Sequence, residues 1–215
     1  MDYPKRFIAV IIFLLALATA LTLPFVYESQ TLWYKFGLDK TALRAGQLSG
    51  MLALTLLFTQ IILAAGGSFL KKAFGLKTLV QWHRINGVLI LFFACAHVFL
   101  ILVPEGLANL PIGKKFWPEM VGSLLLWILI SMVISSRYRE RLKLNYNRWR
   151  AIHKPLGYLA VLLVVVHVLY VSDSFDHPVP RNILLVTFMA LLLRIVWVKA
   201  LARIDQKENK PLTKK

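Results

Sequence analysis

Cysteine is nearly absent from this chain, since Cys95 is the only one in 215 residues. A disulfide within the chain is therefore impossible, and no C-x-x-C-H motif is present to attach a haem covalently. No glycine-rich fingerprint of the G-x-G-x-x-G type occurs either. These absences exclude a disulfide-stabilised fold, a c-type cytochrome and a dinucleotide-binding domain of the type that carries this fingerprint.

Acidic residues are also scarce, with 10 Asp and Glu against 26 Lys and Arg and a formal net charge of +16. Such an excess can indicate a nucleic-acid partner. Here, however, the basic residues lie in short tracts between long apolar runs, and 58% of all residues are hydrophobic. This pattern is typical of an integral membrane protein, so we expect contact with membrane lipid and no nucleic-acid binding.

Six apolar runs are long enough to cross the hydrocarbon core of a bilayer. The sequence therefore predicts an all-α bundle of six transmembrane helices over 1–202, followed by a basic, disordered cytoplasmic tail at 203–215. The predicted spans are about 7–26, 41–65, 83–103, 116–136, 153–171 and 182–201. A cleaved signal peptide competes for the first run, which contains Ala18-Thr19-Ala20, but the apolar run continues past that point and a retained helix is expected.

Basic residues are concentrated in the loops after the second and fourth spans, and positive residues stay on the cytoplasmic side of a membrane. Both termini are therefore expected in the cytoplasm, and the third and fifth spans should run in the same direction. The bacterial inner membrane is the expected location. The basic residues concerned are Lys71, Lys72, Lys77, Arg84, Arg137, Arg139, Arg141, Lys143, Arg148, Arg150 and Lys154.

The third and fifth spans each carry two histidines fourteen residues apart, His83 with His97 and His153 with His167. Fourteen helical residues turn through about 1400°, close to four full turns, and rise about 21 Å. Each helix thus presents two imidazoles on nearly one face, and parallel helices would place His83 level with His153 and His97 level with His167. Two facing imidazoles are what a six-coordinate haem iron takes as axial ligands, so the spacing predicts two noncovalent haems.

Two other interpretations compete with haem ligation. A histidine in an apolar helix can simply hydrogen-bond to a neighbouring helix. Four of them with equal spacing are hard to explain in that way, because ionisable groups in membrane spans are costly. Zinc or copper would gather its ligands in one coordination sphere, whereas about 21 Å separates the two histidines of each helix.

Further residues are candidates for haem contacts. Gly87 and Gly157 each follow a histidine by four residues and would leave room for a porphyrin edge. Basic side chains could pair with the propionates, although the topology rule explains each of them equally well. These candidates are Arg84, Arg150 and Lys154 at the inner end and, more weakly, Arg44, Lys114, Lys115 and Arg181 at the outer end.

Three other features allow more than one interpretation. Gly46 and Gly50 form a GxxxG spacing, which admits either another helix or a flat cofactor. Cys95 is expected to point away from the face of His97, as a small apolar core residue. His177 has no partner at haem spacing, so we expect a solvated loop histidine or, alternatively, a substrate or metal contact.

On these residues the chain resembles the ferric reductase-like transmembrane domain, which ferric reductases, NADPH oxidases and the MsrQ-like haem-binding subunit of the bacterial methionine sulfoxide reductase system share. The resemblance covers about residues 42 to 200. It rests on the four histidines, on W-H-R-x-x-G from Trp82 and on R-W-R-x-x-H-K from Arg148. It implies two b-type haems, an inner one held by His83 and His153 and an outer one held by the other pair.

The larger members of that family continue into a flavin and NADPH domain, for which this sequence shows no fingerprint. The resemblance therefore implies the membrane haem subunit of an oxidoreductase, with electrons supplied by a cytoplasmic flavoprotein or by FMN or FAD. The expected acceptor outside is ferric iron, dioxygen or a periplasmic redox enzyme. An iron with two imidazole ligands has no open position, so single-electron transfer is the expected chemistry and no catalytic residue is assigned.

Two alternative functions remain open. The first is a quinol-linked cytochrome b subunit of a membrane redox complex, because the cytochrome b subunits of quinol-oxidising complexes space paired histidines in the same way. The second is a structural or assembly subunit with no redox role.

Overall fold

Six long apolar helices and one short one form the described part of the chain, residues 3–208 without 107–109 and 111, in a computed structural model. The six long helices are apolar enough to cross a membrane, which confirms the predicted all-α, six-span architecture. The helices are α1 (Tyr3–Val26), α2 (Gly37–Ala65), α3 (Ser68–Phe74), α4 (Leu76–Glu105), α5 (Trp117–Arg137), α6 (Tyr146–Val171) and α7 (Pro178–Glu208).

Several helices extend beyond the predicted spans, because hydrophobicity marks only the membrane-embedded part of a helix. The α4 helix begins at Leu76, well before His83, and follows α3, a helix that the sequence analysis did not predict. The α7 helix continues to Glu208, into the segment predicted as a disordered tail, where Arg, Gln, Lys and Glu favour helix. The rest of that predicted tail, 209–215, lies outside the described residues.

The outside of the bundle is apolar, as expected for side chains that face lipid. Phe92 and Phe99 on α4 are 62% and 65% exposed. Cys95 is also exposed, which makes the prediction of a core position wrong. The reason is that α4 buries little of its circumference, chiefly at Leu79 and Ile90.

Glycines allow α2 and α4 to pack closely. A Cβ on Gly46 would lie 2.9 Å from Ile101 Cδ1, and a Cβ on Gly50 would lie 2.9 Å from His97 Nδ1. The GxxxG spacing therefore serves the contact between α2 and α4. On the other side of the bundle, α6 packs mainly against α5.

The loops after α1 and α6 are joined by hydrogen bonds at one end of the bundle. Ser29 Oγ donates to Asp173 Oδ2 at 2.7 Å, and Ser174 Oγ donates to Tyr27 O at 2.7 Å. His177 is exposed, as expected for a loop histidine, and its ring centroid lies 5.2 Å from that of Tyr27. These contacts join the end of α1 to the loop between α6 and α7.

We predict that Asp173→Ala lowers the stability of the protein by about 2 kcal/mol, because the nearly buried Ser29 hydroxyl loses a charged acceptor. The measurement is the unfolding midpoint of the purified protein in detergent. Asp176→Ala is the matched control, since the Asp176 side chain is exposed and, among the described residues, the hydrogen bond of Asp176 is made by its backbone N–H. An equal loss in both variants would contradict the prediction.

Candidate functional site

The four histidines of α4 and α6 meet in two pairs. The ring centroids of His83 and His153 are 6.4 Å apart with an interplanar angle of 67°, and those of His97 and His167 are 6.4 Å apart with an angle of 83°. We call the first the inner pair and the second the outer pair, after the predicted orientation. The order of the pairs shows that α4 and α6 run in the same direction, as the spacing argument requires.

Each ring of the outer pair is held by a backbone carbonyl. His97 Nδ1 donates to Gly46 O at 2.9 Å, and His167 Nδ1 donates to Pro118 O at 2.9 Å. Because a carbonyl oxygen can only accept, Nδ1 carries the proton and Nε2 of each neutral ring keeps a free lone pair. Metal-ligating histidines are commonly oriented by such a bond through the second nitrogen. The outer pair is therefore in the tautomer that a metal ligand needs.

Glycines lie directly against both outer rings. A Cβ on Gly50 would come within 2.9 Å of His97 Nδ1, and a Cβ on Gly122 within 2.5 Å of His167 Cε1. A larger residue at either position would displace the imidazole. Gly122 was not predicted from the sequence, since no spacing rule connects α5 with a histidine of α6.

The inner pair has no carbonyl contact of this kind. The Nδ1 atoms of His83 and His153 are buried and have no hydrogen-bond partner among the described residues. Buried polar atoms without a partner are rare in native proteins and indicate an absent partner. Trp149 stacks on His153 with ring centroids 4.6 Å apart, and its Nε1 is also buried without a partner in the described part of the chain.

A polar network of α2 and α4 lies beside His83 and was not predicted. Gln60 Nε2 donates to His83 O at 2.9 Å and lies 3.3 Å from His83 Nε2. Gln60 Oε1 accepts from Asn86 Nδ2 at 2.7 Å, and Asn86 also donates to Leu56 O. Gly87 makes room for this network, since its Cβ would lie 3.3 Å from Gln60 Nε2. Gln60 therefore positions His83.

The remaining predicted contacts differ in their surroundings. A Cβ on Gly157 would meet only ordinary contacts at 3.8 Å. Arg44 forms an ion pair with Glu28, so it is engaged in the loop after α1. The basic candidates with exposed side chains are Arg84, Arg150, Lys154, Lys114, Lys115 and Arg181.

The donor atoms fit a haem at each level better than a bare metal ion. Within the described residues no group of three or more His, Cys, Asp or Glu side chains comes together, so the histidines form pairs. Structural zinc takes four protein ligands, whereas a haem iron receives four from its macrocycle and needs two axial ones. The Nε2 atoms of the outer pair, whose rings donate through Nδ1, suit such ligation. At the inner pair the Gln60 amide lies 3.3 Å from His83 Nε2, and a haem there would take the place of that contact.

We predict that Gly122→Ala displaces the His167 ring and removes the spectroscopic signal of the outer site, because the added methyl would overlap that ring. The matched control is Gly157→Ala, whose methyl meets ordinary protein contacts at the level of the inner pair, one helical turn beyond His153, and should therefore leave the outer signal unchanged. The measurement is a low-temperature reduced-minus-oxidised spectrum of both variants. Retention of the outer signal in Gly122→Ala would contradict this geometry.

Comparison with known proteins identifies the family of the chain. The model of the family described as ferric reductase like transmembrane component matches residues 49–165, which include three of the four histidines and end just before His167. An uncharacterized protein of Archaeoglobus fulgidus is 28% identical over 128 residues, covering 55% of this chain and 70% of that protein. No solved structure matches. The chain is a multi-pass membrane protein that belongs to the ferric reductase like transmembrane component family.

Proposed function

We propose that this chain carries single electrons across the membrane, with one b-type haem between His83 and His153 and a second between His97 and His167. The observation that carries the proposal is the outer pair, in which both Nδ1 atoms are bound to carbonyls and both Nε2 atoms are free. Bound haem supplies a one-electron couple with no open coordination position. The protein's own residues orient the ligands and exclude water.

The region between the two pairs is apolar and buried. Ile90 of α4, and Ala160 and Val164 of α6, lie between the histidines along their helices and are at most 7% exposed. Such side chains keep water away from the space between the two levels. The exclusion of water favours electron transfer between the two sites over electron loss to solvent.

The proposed donor is a cytoplasmic flavoprotein or a bound FMN or FAD, which would dock at the end of the bundle with the inner pair. Exposed cations surround that end, namely Arg84, Arg141, Lys143, Arg148, Arg150 and Lys154. A basic surface attracts an acidic partner and raises its association rate. An inside-negative potential would favour the outward electron by about 2.3 kcal/mol per 100 mV.

The proposed acceptor lies on the other side of a bacterial inner membrane, with both termini in the cytoplasm. Ferric iron, dioxygen and a periplasmic redox enzyme are all compatible with an outer site that exchanges electrons through the porphyrin edge. In each case the acceptor would need no coordination to the iron.

We predict that His83→Ala lowers the haem content from two per chain to one and spares the outer site, because the pairs belong to separate levels. A pyridine haemochrome assay of the purified variant measures this number. His177→Ala is the control, since that exposed histidine lies outside both pairs and should retain two haems. The proposal would be wrong if His83→Ala kept two haems, or if wild-type protein purified with none.

We predict that the double variant Arg141→Gln, Lys143→Gln is reduced about tenfold more slowly by an acidic reduced flavoprotein at low ionic strength. Both side chains are exposed, so their loss should leave the fold unchanged. Lys114→Gln, Lys115→Gln removes two exposed charges at the opposite end and serves as the control. Stopped-flow reduction with added salt should bring the variants together, because salt screens exposed charges. Equal rates at low salt would exclude docking at this surface.

A further inference from the structure

A second group of cations lies where α2 ends, away from the histidines. Gly66 and Gly67 connect α2 to α3 with positive φ angles of 66° and 95°. Arg194 of α7 reaches this turn, and its Nη2 donates to Gly66 O at 3.0 Å. Lys71 of α3 folds over the same turn, since a Cβ on Gly66 would lie 3.2 Å from Lys71 Cε. We call Gly66, Gly67, Lys71 and Arg194 the Arg194 notch.

The guanidinium of Arg194 is only partly satisfied by the protein. Its Nε is buried and has no hydrogen-bond partner among the described residues. A positive charge is favourable at a helix C-terminus, which explains the bond to Gly66 O. That bond leaves Nε–H without an acceptor, although an unmet buried donor of a charged group is costly. The hydrogen bond to Gly66 O at the end of α2 therefore satisfies only part of the guanidinium of Arg194.

No protein anion balances the notch within the part of the chain that the structure describes. The ion pairs found there join Arg44 to Glu28 and Arg139 to Glu140, and neither involves Lys71 or Arg194. Lys72 adds a third exposed cation on α3. The notch thus has hydrogen-bond donors and positive charge that an external anion would complete.

The surroundings indicate that this anion belongs to a lipid. A shallow, open groove of about 520 Å³ lies on the surface of α7 and includes Arg194 of the notch as its charged lining residue. Its other lining residues are Leu193, Val196, Trp197 and Ala200. Trp197 is 66% exposed, and tryptophan is enriched where a membrane helix meets the headgroup region. A free phosphate would use the cations alone, whereas a phospholipid would also fill the groove.

We propose that the Arg194 notch binds the phosphate of an anionic phospholipid, with Arg194 and Lys71 as its ligands and an acyl chain along the groove of α7. Guanidinium groups bind phosphate through paired N–H bonds, and here one of the five N–H donors of Arg194 is bound to the protein, at Gly66 O, among the described residues. Basic pockets between membrane helices are suited to anionic headgroups. The site would anchor α7 to α2 and α3 through the lipid, independently of the histidine pairs.

The test is native mass spectrometry of the full chain in detergent, titrated with phosphatidylglycerol or with phosphatidylcholine of the same acyl length. Wild-type protein should retain phosphatidylglycerol preferentially, and Arg194→Gln should bind it at least about tenfold more weakly. Lys77→Gln is the matched control, because Lys77 is an exposed cation at the same end of the bundle and should leave binding unchanged. Millimolar inorganic phosphate should not displace the lipid.

A second variant distinguishes loss of the lipid site from a folding defect of Arg194→Gln. Lys71 is exposed, so Lys71→Gln should fold normally and weaken phosphatidylglycerol binding by several-fold. Equal retention of both lipids by wild-type protein, displacement by inorganic phosphate, or wild-type affinity in Lys71→Gln would each overturn the proposal. Lipid binding should persist in His83→Ala, so the lipid proposal and the haem proposal are tested independently.

Discussion

Two hydrogen bonds, from His97 to Gly46 O and from His167 to Pro118 O, determine what the centre of this bundle can bind. Each bond connects neighbouring helices, α4 to α2 and α6 to α5, and also assigns the proton of the ring. An imidazole without such a contact could rotate or exchange tautomers. With this bond, one contact both joins two helices and determines which ring nitrogen can bind a ligand. The close glycines Gly50 and Gly122 are needed for both effects.

The two levels of the bundle are built differently. Backbone carbonyls hold the outer pair, whereas Gln60 and the stacked Trp149 surround the inner pair and leave its Nδ1 atoms without partners among the described residues. Side-chain contacts are more adjustable than backbone contacts. The inner level is therefore the more adaptable of the two, at the end where an electron donor is proposed to dock.

The fourteen-residue spacing, together with the common direction predicted from the basic loops, was sufficient to predict which histidines face each other, because helix periodicity determines both the face and the rise. The positions of Gly122, Gln60 and Trp149 could not be predicted in the same way. They depend on how α5, α2 and α6 are rotated about their own axes, which packing decides and no local pattern encodes. The outward position of Cys95 depends in the same way on the rotation of α4. The helix ends, including the start of α4 at Leu76, were missed because helical hydrogen bonding continues beyond the apolar run.

The parallel course of α4 and α6 has an electrostatic consequence. Aligned peptide dipoles place about half a positive charge at the N-terminus of a helix and about half a negative charge at its C-terminus. Both N-termini lie on the side of His83 and His153, and both C-termini lie beyond His97 and His167. An electron that moved from the level of the inner pair to that of the outer pair would leave the positive helix ends behind, so the helix dipoles disfavour that step. In the proposed orientation, the inside-negative voltage across the bilayer would act in the opposite sense.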